Sequence, residues 1–509
     1  MSLQSWRRGM TAAEPSCAKR VRSAVRSAVF LASMVFGSSA LAQTYDVVLQ
    51  GGRVMDPETG LDATRNVGIS KDKIARISSD ALTGRRVIDV RGLVVAPGFI
   101  DLHQHAQDAD SGRLKAFDGV TSGLEMEIGV PDVAAFLRRK AGHSFINYGT
   151  TASHAAARAM VFGAPVSEEQ LVPPAGTATD QAATDEQIEA MEARLRAELD
   201  AGALGIGMGI QYTPGATRLE VIRIFRLAAQ RRVPVFTHVR SFGRLEPGSS
   251  IEAVGEVIAA AAVTGASLQI VHINSSCLKD GLECLAMVAG ARARGLDVTT
   301  EAYPYTAGMT QINSALFNPG WKEKLGIDYS ALQLPDTGER LTESRFETLH
   351  KSSTPQPVLL FMNSQEMADA VIANPLVTIA SDGEMGHPRN AGTFSRVLAR
   401  YVREIGSVTL MDAIRKMSLM PAQRLEKSAG PAHRKGRLQE GADADVIVFN
   451  PKTVQDRATY QAPREASVGM QFVIVDGTVL IDQGKWVPNT FPGKALCNAH
   501  SACASGQSE

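Results

Sequence analysis

The chain has 509 residues, enough for one large core or two domains, and its 44% hydrophobic and 21% charged content is that of a soluble globular protein. Lys plus Arg and Asp plus Glu each number 53, so no net charge speaks for nucleic acid or an acidic surface as partner, and a 6% aromatic content gives no base-stacking platform. The chemistry has to come from local motifs.

In chain order the first element is a leader. Lys19, Arg20, Arg22 and Arg26 precede an apolar run over 28–36, and Ala40 and Ala42 supply a small-residue cleavage site. That is the pattern of a signal peptide over 1–42, cut after Ala42, and it predicts a periplasmic or secreted mature protein. The run is shorter than the about 20 apolar residues of a spanning helix, so no stable membrane anchor is expected. Cleavage removes Cys17 and leaves Cys277, Cys284, Cys497 and Cys503. In an oxidising compartment Cys497 and Cys503 can pair and tie off the tail. No pair has zinc-finger spacing, and all four read as structural.

Residues 45–96 read as short strands with turns, such as Asp46 to Gln50 running into Gly51 and Gly52, and 86–90 preceding Gly92. The far end mirrors this over 444–449 and 472–477. The two pieces predict one small β-sandwich domain over 43–96 and 430–490, with 491–509 as a C-terminal tail. The middle, 97–429, alternates helical segments (185–200, 218–231, 250–263) with short apolar runs (203–209, 233–238, 267–272). This predicts an α/β protein whose centre is a (β/α)₈ TIM barrel. The stretch around 314–354 fits no such unit and reads as a long loop or lid.

The strongest chemical signal lies where the apolar residues Phe99 and Ile100 lead into His103 and His105. Period-2 alternation puts both imidazoles on one face, at the end of a barrel strand where such folds keep their sites. A pair like this equally well satisfies core hydrogen bonds. Its company decides the reading: His238 ends the run 233–237, His272 ends 268–271, and Asp382 ends 376–381. Five metal-type side chains at four separate strand ends point to a metal site.

In that order, His103, His105, His238, His272 and Asp382 resemble the amidohydrolase superfamily. The segments 201–207, 212–215, 237–240, 303–305 and 387–389 are most similar to its D-aminoacylase branch, the N-acyl-D-amino-acid deacylases, and 441–446 resembles the superfamily's return to the β-domain. The likeness runs from about residue 45 to 487. It implies a zinc amidase with one or two Zn²⁺, acting on a small N-acyl amino acid or related carboxylate-bearing amide. Its metal ligands would be His103, His105, Glu127, His238, His272 and Asp382. Water activated by the metal would attack, with its pKa lowered to about 7, and Asp382 would take its proton and pass one to the leaving nitrogen. No Gly-X-Ser-X-Gly elbow suggests a protein nucleophile. A dipeptidase or cyclic-amide hydrolase using the same site is the alternative enzyme, and a metal or ligand binder is the alternative from another class. A small-molecule substrate is the expected partner, and an oligomer is compatible with the sequence.

Two departures from the branch stand out. Its cysteine ligand at the end of the second barrel strand is missing from 119–129, and the carbamylated lysine of other superfamily members is missing from 203–212. Glu125 and Glu127 are the candidates for an anionic bridge, Glu127 being nearer the strand end. The alternative is that these glutamates pair with Arg or Lys and one metal binds. For the substrate carboxylate the branch uses a tyrosine, an arginine and a lysine. Tyr303 and Arg389 match the first two, whereas Asn274 stands at the lysine's position and carries no charge. His154 is a further candidate for substrate contact, its alternative being a role behind the pocket.

Overall fold

The computed structural model describes residues 44–503, apart from 168, 169, 353 and 502. The leader assigned to 1–42 lies outside the described residues. No described helix is long and apolar enough to cross a membrane.

Eight parallel strands form the central sheet: Phe99–Asp101, Val120–Val130, Asn147–Ser153, Ile206–Gly209, Val235–His238, Leu268–Ile270, Val298–Ala302 and Val377–Ile379, each bonded to the next in chain order. The ring closes where Gly383, just past the eighth strand, donates its N–H to His103 O and accepts from His105 N. Every residue of Val120–Val130 is buried, as expected of a strand covered on both faces. The helices between strands start on side-chain caps. Thr184 opens Asp185–Ala201, Thr217 opens Arg218–Arg231 and Ser249 opens Ser250–Thr264. Their apolar faces, for example Val221, Ile224, Phe225 and Ala228, join the large cluster around the barrel.

Inside the ring, Leu124, Met126, Leu204 and Phe236 pack with Ala422, Leu425 and Leu496. The last three come from the C-terminal part of the chain and approach the starts of the strands: Arg424 Nη1 bonds Leu268 O, and Leu496 N bonds Tyr148 O. The segment expected as a tail therefore fills the end of the barrel opposite the site.

The β-domain is drawn from both ends of the described chain, as expected, and forms one nine-stranded sheet. Its long strand Thr44–Asp56 is irregular between Leu49 and Gly52. The first half pairs with Thr83–Asp89 and the second with Val94–Pro97, so the sheet divides there. Val47, Leu49, Ile88, Val446 and Ile474 fill the space within it.

The stretch expected as a loop or lid is a folded layer. Strands Ala307–Gln311, Pro357–Phe361 and Leu332–Gln333 form a three-stranded antiparallel sheet, with helices Trp321–Leu325 and Glu343–His350 between them. Phe317, Trp321, Leu341 and Phe346 give it an apolar core of its own. Its elements run two to eight residues, too short for a periodicity to register. Cys497 is bonded to Cys503, and a second disulfide, which the sequence reading does not single out, joins Cys277 to Cys284.

Candidate metal centre

The site is assembled from strand ends whose backbones are pinned to one another. Asp101 Oδ1 accepts from His103 N and Ser381 N, and its Oδ2 accepts from Lys115 Nζ at 2.7 Å, with both Asp101 and Lys115 fully buried. The Ser381 bond ties the first strand to the end of the eighth beside His103 and Asp382, and Lys115 of the helix Ala109–Phe117 neutralises the shared carboxylate. On the second strand the register slips between Glu125 and Val130. Gly129 takes φ 74 there, and a Cβ would stand 2.5 Å from Thr151 O, so glycine alone fits this turn beside Glu127. His272 (φ 28) and Asp382 (φ 51) are also held in left-handed backbone, a strain of about 1–3 kcal/mol each that the surrounding structure sustains.

Glu127 sits between two groups of imidazoles. Its Oε2 lies 3.2 Å from His103 Nε2 and 3.1 Å from His105 Nε2, and its Oε1 lies 2.7 Å from His238 Nδ1 and 2.9 Å from His272 Nε2. Asp382 Oδ1 completes the first group, 3.4 Å from His103 Nε2 and 3.3 Å from His105 Nε2. Two sets of ligand atoms result, one from His103, His105, Glu127 and Asp382 and one from Glu127, His238 and His272, each within 4.8 Å. Glu125 is engaged elsewhere: Oε2 lies 2.6 Å from His105 Nδ1, and Oε1 accepts from Ile128 N and Gly129 N. Of the two candidate bridges, only Glu127 faces both sets.

The outer nitrogens are held as metal-binding imidazoles require. His103 Nδ1 is 2.7 Å from Glu301 Oε1, whose other oxygen accepts from Gln269 Nε2, and His272 Nδ1 is 3.1 Å from Ser276 Oγ. Sequence reasoning missed Glu301. The signal was a lone carboxylate in the buried strand Val298–Ala302.

Burial alone would depress His103, but the carboxylates of Asp382 and Glu127 overcome it and raise the imidazole to about 10. Burial likewise pushes Asp382 and Glu127 up. Arg389 and His103 hold Asp382 well below the carboxylate range, and His103 and His238 do the same for Glu127. A field that favours a proton on buried imidazole nitrogen also favours a divalent cation in its place. His238 Nε2 is buried with no hydrogen-bond partner among the described residues. Donor chemistry and field both fit one or two zinc-type ions.

The amidohydrolase family model matches residues 86–481. The chain belongs to the amidohydrolase family. It is 31% identical to an N-acyl-D-glutamate deacylase and 30% identical to a D-aminoacylase, both of Alcaligenes xylosoxydans xylosoxydans. These matches cover 90% of this chain and 97% and 98% of the relatives. Among solved structures, an N-acyl-D-glutamate deacylase of Bordetella bronchiseptica, complexed with zinc and a phosphonate inhibitor, superposes with a TM-score of 0.75 at 25% identity, over 89% of this chain and 100% of that one.

In this amidohydrolase a cavity of about 230 Å³ opens in front of the cluster, with His105, Glu127, His238, His272, Asp382 and Tyr303 in its wall. Arg389 is fully buried beside Asp382, with Nη1 2.8 Å from Asp382 Oδ2 and its guanidinium 4.8 Å above the Tyr303 ring. Its Nε and Nη2 have no hydrogen-bond partner among the described residues. Two expectations are corrected. Asn274 does not line the cavity; its Nδ2 donates to Tyr303 O at 3.1 Å, so it braces the backbone that carries Tyr303. His154 is not in the cavity wall either. Its Nε2 lies 2.8 Å from Glu220 Oε1, and Arg158 pairs with the same carboxylate, so a fully buried ion pair absorbs it.

Proposed function

We propose that the protein is a zinc-dependent amidase that hydrolyses the amide bond of a small N-acyl amino acid. The observation that carries this reading is the Glu127 carboxylate, held between the His103–His105–Asp382 and His238–His272 groups at the strand ends of an amidohydrolase barrel. A bound divalent cation supplies polarisation of the scissile carbonyl and acidification of a water.

The side chains do the rest. Asp382 is kept ionised by Arg389 and the imidazoles, so it can accept the proton of the attacking water and deliver one to the leaving nitrogen. Glu301 and Ser276 fix the ring orientations of His103 and His272. Arg389, fully buried and outside the cavity wall, holds Asp382 in place through Nη1 at 2.8 Å from its Oδ2. Tyr303 forms the floor beneath that guanidinium.

The test is a metal count on the purified protein followed by a panel of N-acyl amino acids, dipeptides and cyclic amides. One or two zinc ions per chain, and activity on the acyl amino acids that a chelator removes and zinc restores, are expected. Activity that survives complete metal removal would defeat the reading. We also infer export: the leader pattern over 1–42 and the two disulfides both suit an oxidising compartment. Amino-terminal sequencing of the periplasmic or secreted protein should begin at Gln43; an intact leader on protein retained inside the cell would count against it.

A further inference from the structure

The turn that carries His272 is short and strained at both ends. The helix that follows the sixth barrel strand is Ile273–Cys277, five residues, too few to hold itself in water. His272 before it (φ 28) and Leu278 after it (φ 48) stand in left-handed backbone, which an L side chain adopts only where its surroundings enforce it. At the leading end that enforcement is polar. Ser275 N and Ser276 N donate to His272 O at 2.9 and 3.1 Å, and Ser275 Oγ donates to the same oxygen at 3.1 Å. At the trailing end it is covalent. Cys277 is bonded to Cys284, seven residues on, in the helix Gly281–Ala293. Both cysteines are fully buried. Cys284, Leu285, Val288 and Ala291 set that helix into the large apolar cluster with Val371 and Ile372, so the bond fastens a five-residue turn to a firmly packed element.

The bond also sits close to the metal centre. Cys277 directly follows Ser276, whose Oγ is 3.1 Å from His272 Nδ1, and the other ring nitrogen, Nε2, lies 2.9 Å from Glu127 Oε1 in the second ligand set. One peptide and one hydrogen bond separate the anchor from the ligating imidazole. The other disulfide, Cys497–Cys503, lies beside Gly202, ahead of the strand Ile206–Gly209, at the end of the barrel away from the site.

We propose that the Cys277–Cys284 disulfide is a positioning element of the metal centre, holding the turn 272–277 so that His272 Nε2 stays in place beside Glu127 and His238. The proposal rests on the zinc reading above and adds a requirement to it. With the bond open the turn loses its trailing anchor, and the strain at Leu278 and His272 can relax toward ordinary backbone. The imidazole must then be brought back each time a metal binds, which lowers affinity. The bond thus has a task beyond the entropy it removes from the unfolded chain.

The experiment compares wild type, Cys277→Ala/Cys284→Ala and Cys497→Ala/Cys503→Ala, each stripped of metal and titrated with chelator-buffered zinc well below its unfolding transition. Urea midpoints are measured alongside. Opening Cys277–Cys284 should move zinc uptake to about tenfold higher free zinc or more. Opening Cys497–Cys503 should lower the urea midpoint and leave zinc uptake as in wild type. Should Cys277→Ala/Cys284→Ala fail to fold, wild type folded with its thiols reduced, as verified by mass spectrometry, takes its place. That chain is titrated with cobalt(II), whose thiolate charge-transfer band exposes any ligation by the freed cysteines, and weaker cobalt binding than in the oxidised chain is expected. The proposal is overturned if the bond's loss changes the urea midpoint alone, or if both disulfides shift metal uptake equally. Failure of both forms to fold would place the bond's role in the fold as a whole and overturn it too. Absence of zinc from the oxidised wild type would defeat the zinc reading and the proposal with it, whereas equal metal binding with and without the bond defeats the proposal alone.

Discussion

Glu127 and Asp382 are both buried carboxylates among imidazoles, yet their surroundings assign them different work. Glu127 touches four imidazole nitrogens with two oxygens, so Glu127→Gln removes the one anion shared by both ligand sets. Zinc content should fall by about one ion per chain, measured by atomic absorption, and kcat by about a hundredfold. Asp382 has one oxygen toward the imidazoles and the other toward Arg389. Asp382→Asn keeps the shape and should lose about a thousandfold or more in kcat while retaining most of its metal. Far from the site, Asp476 shows the opposite electrostatics. Burial and the neighbouring Asp445 raise it to about 6 against the pull of Lys435, and its Oδ2 is buried without a hydrogen-bond partner among the described residues. Its folded pKa lies above the ordinary 3.8, so its stabilising contribution is complete below that value and is lost as pH rises through about 6. Denaturant titrations should show wild type losing about 2 kcal/mol relative to Asp476→Asn between about pH 4 and 7.

Among the elements, the C-terminal segment matters most for the barrel. It pairs with the backbone of Tyr148, and Asn498 Nδ2 donates to Leu199 O and Ala203 O, delivering Leu496 into the ring's interior. Leu496→Ala would leave a cavity among Leu124, Leu204 and Phe236 and should lower the unfolding free energy by about 2–5 kcal/mol, read from the urea midpoint at unchanged slope. The layer over 307–361 works at the opposite end. It contributes Met309, Leu316 and Leu360 to the cavity wall while keeping its own core, so the cavity has an ordered roof.

At the scale of the whole molecule, barrel and β-domain share one apolar interior. Ile447, Phe449, Met470 and Val473 of the nine-stranded sheet belong to the same cluster as Phe99, Ala116 and Val120 of the barrel. Residues from both chain ends build that sheet, so neither part is a contiguous unit that can detach. Calorimetry of the metal-free protein should therefore show a single unfolding transition, with circular dichroism and tryptophan fluorescence coinciding. Two resolved transitions would mean that the shared cluster does not couple them.

Local pattern in the chain determined the alternation of strands and helices, the β-domain built from both ends, and the placement of His103, His105, His238, His272 and Asp382 at strand ends. Those signals are periodic or sit at fixed offsets from an apolar run, so neighbouring residues suffice to read them. Tertiary structure alone decided which glutamate stands between the two imidazole groups, because Glu125 and Glu127 share one strand and one face and differ only in the partners that distant strands bring. It also placed His154 and Asn274 outside the cavity wall, through Glu220 on a later helix and the carbonyl of Tyr303. The folded layer over the cavity and the barrel-filling role of Leu496 were out of reach for the same physical reason. Short elements carry little periodicity, and the free energy that fixes them comes from contacts with residues far away in the chain.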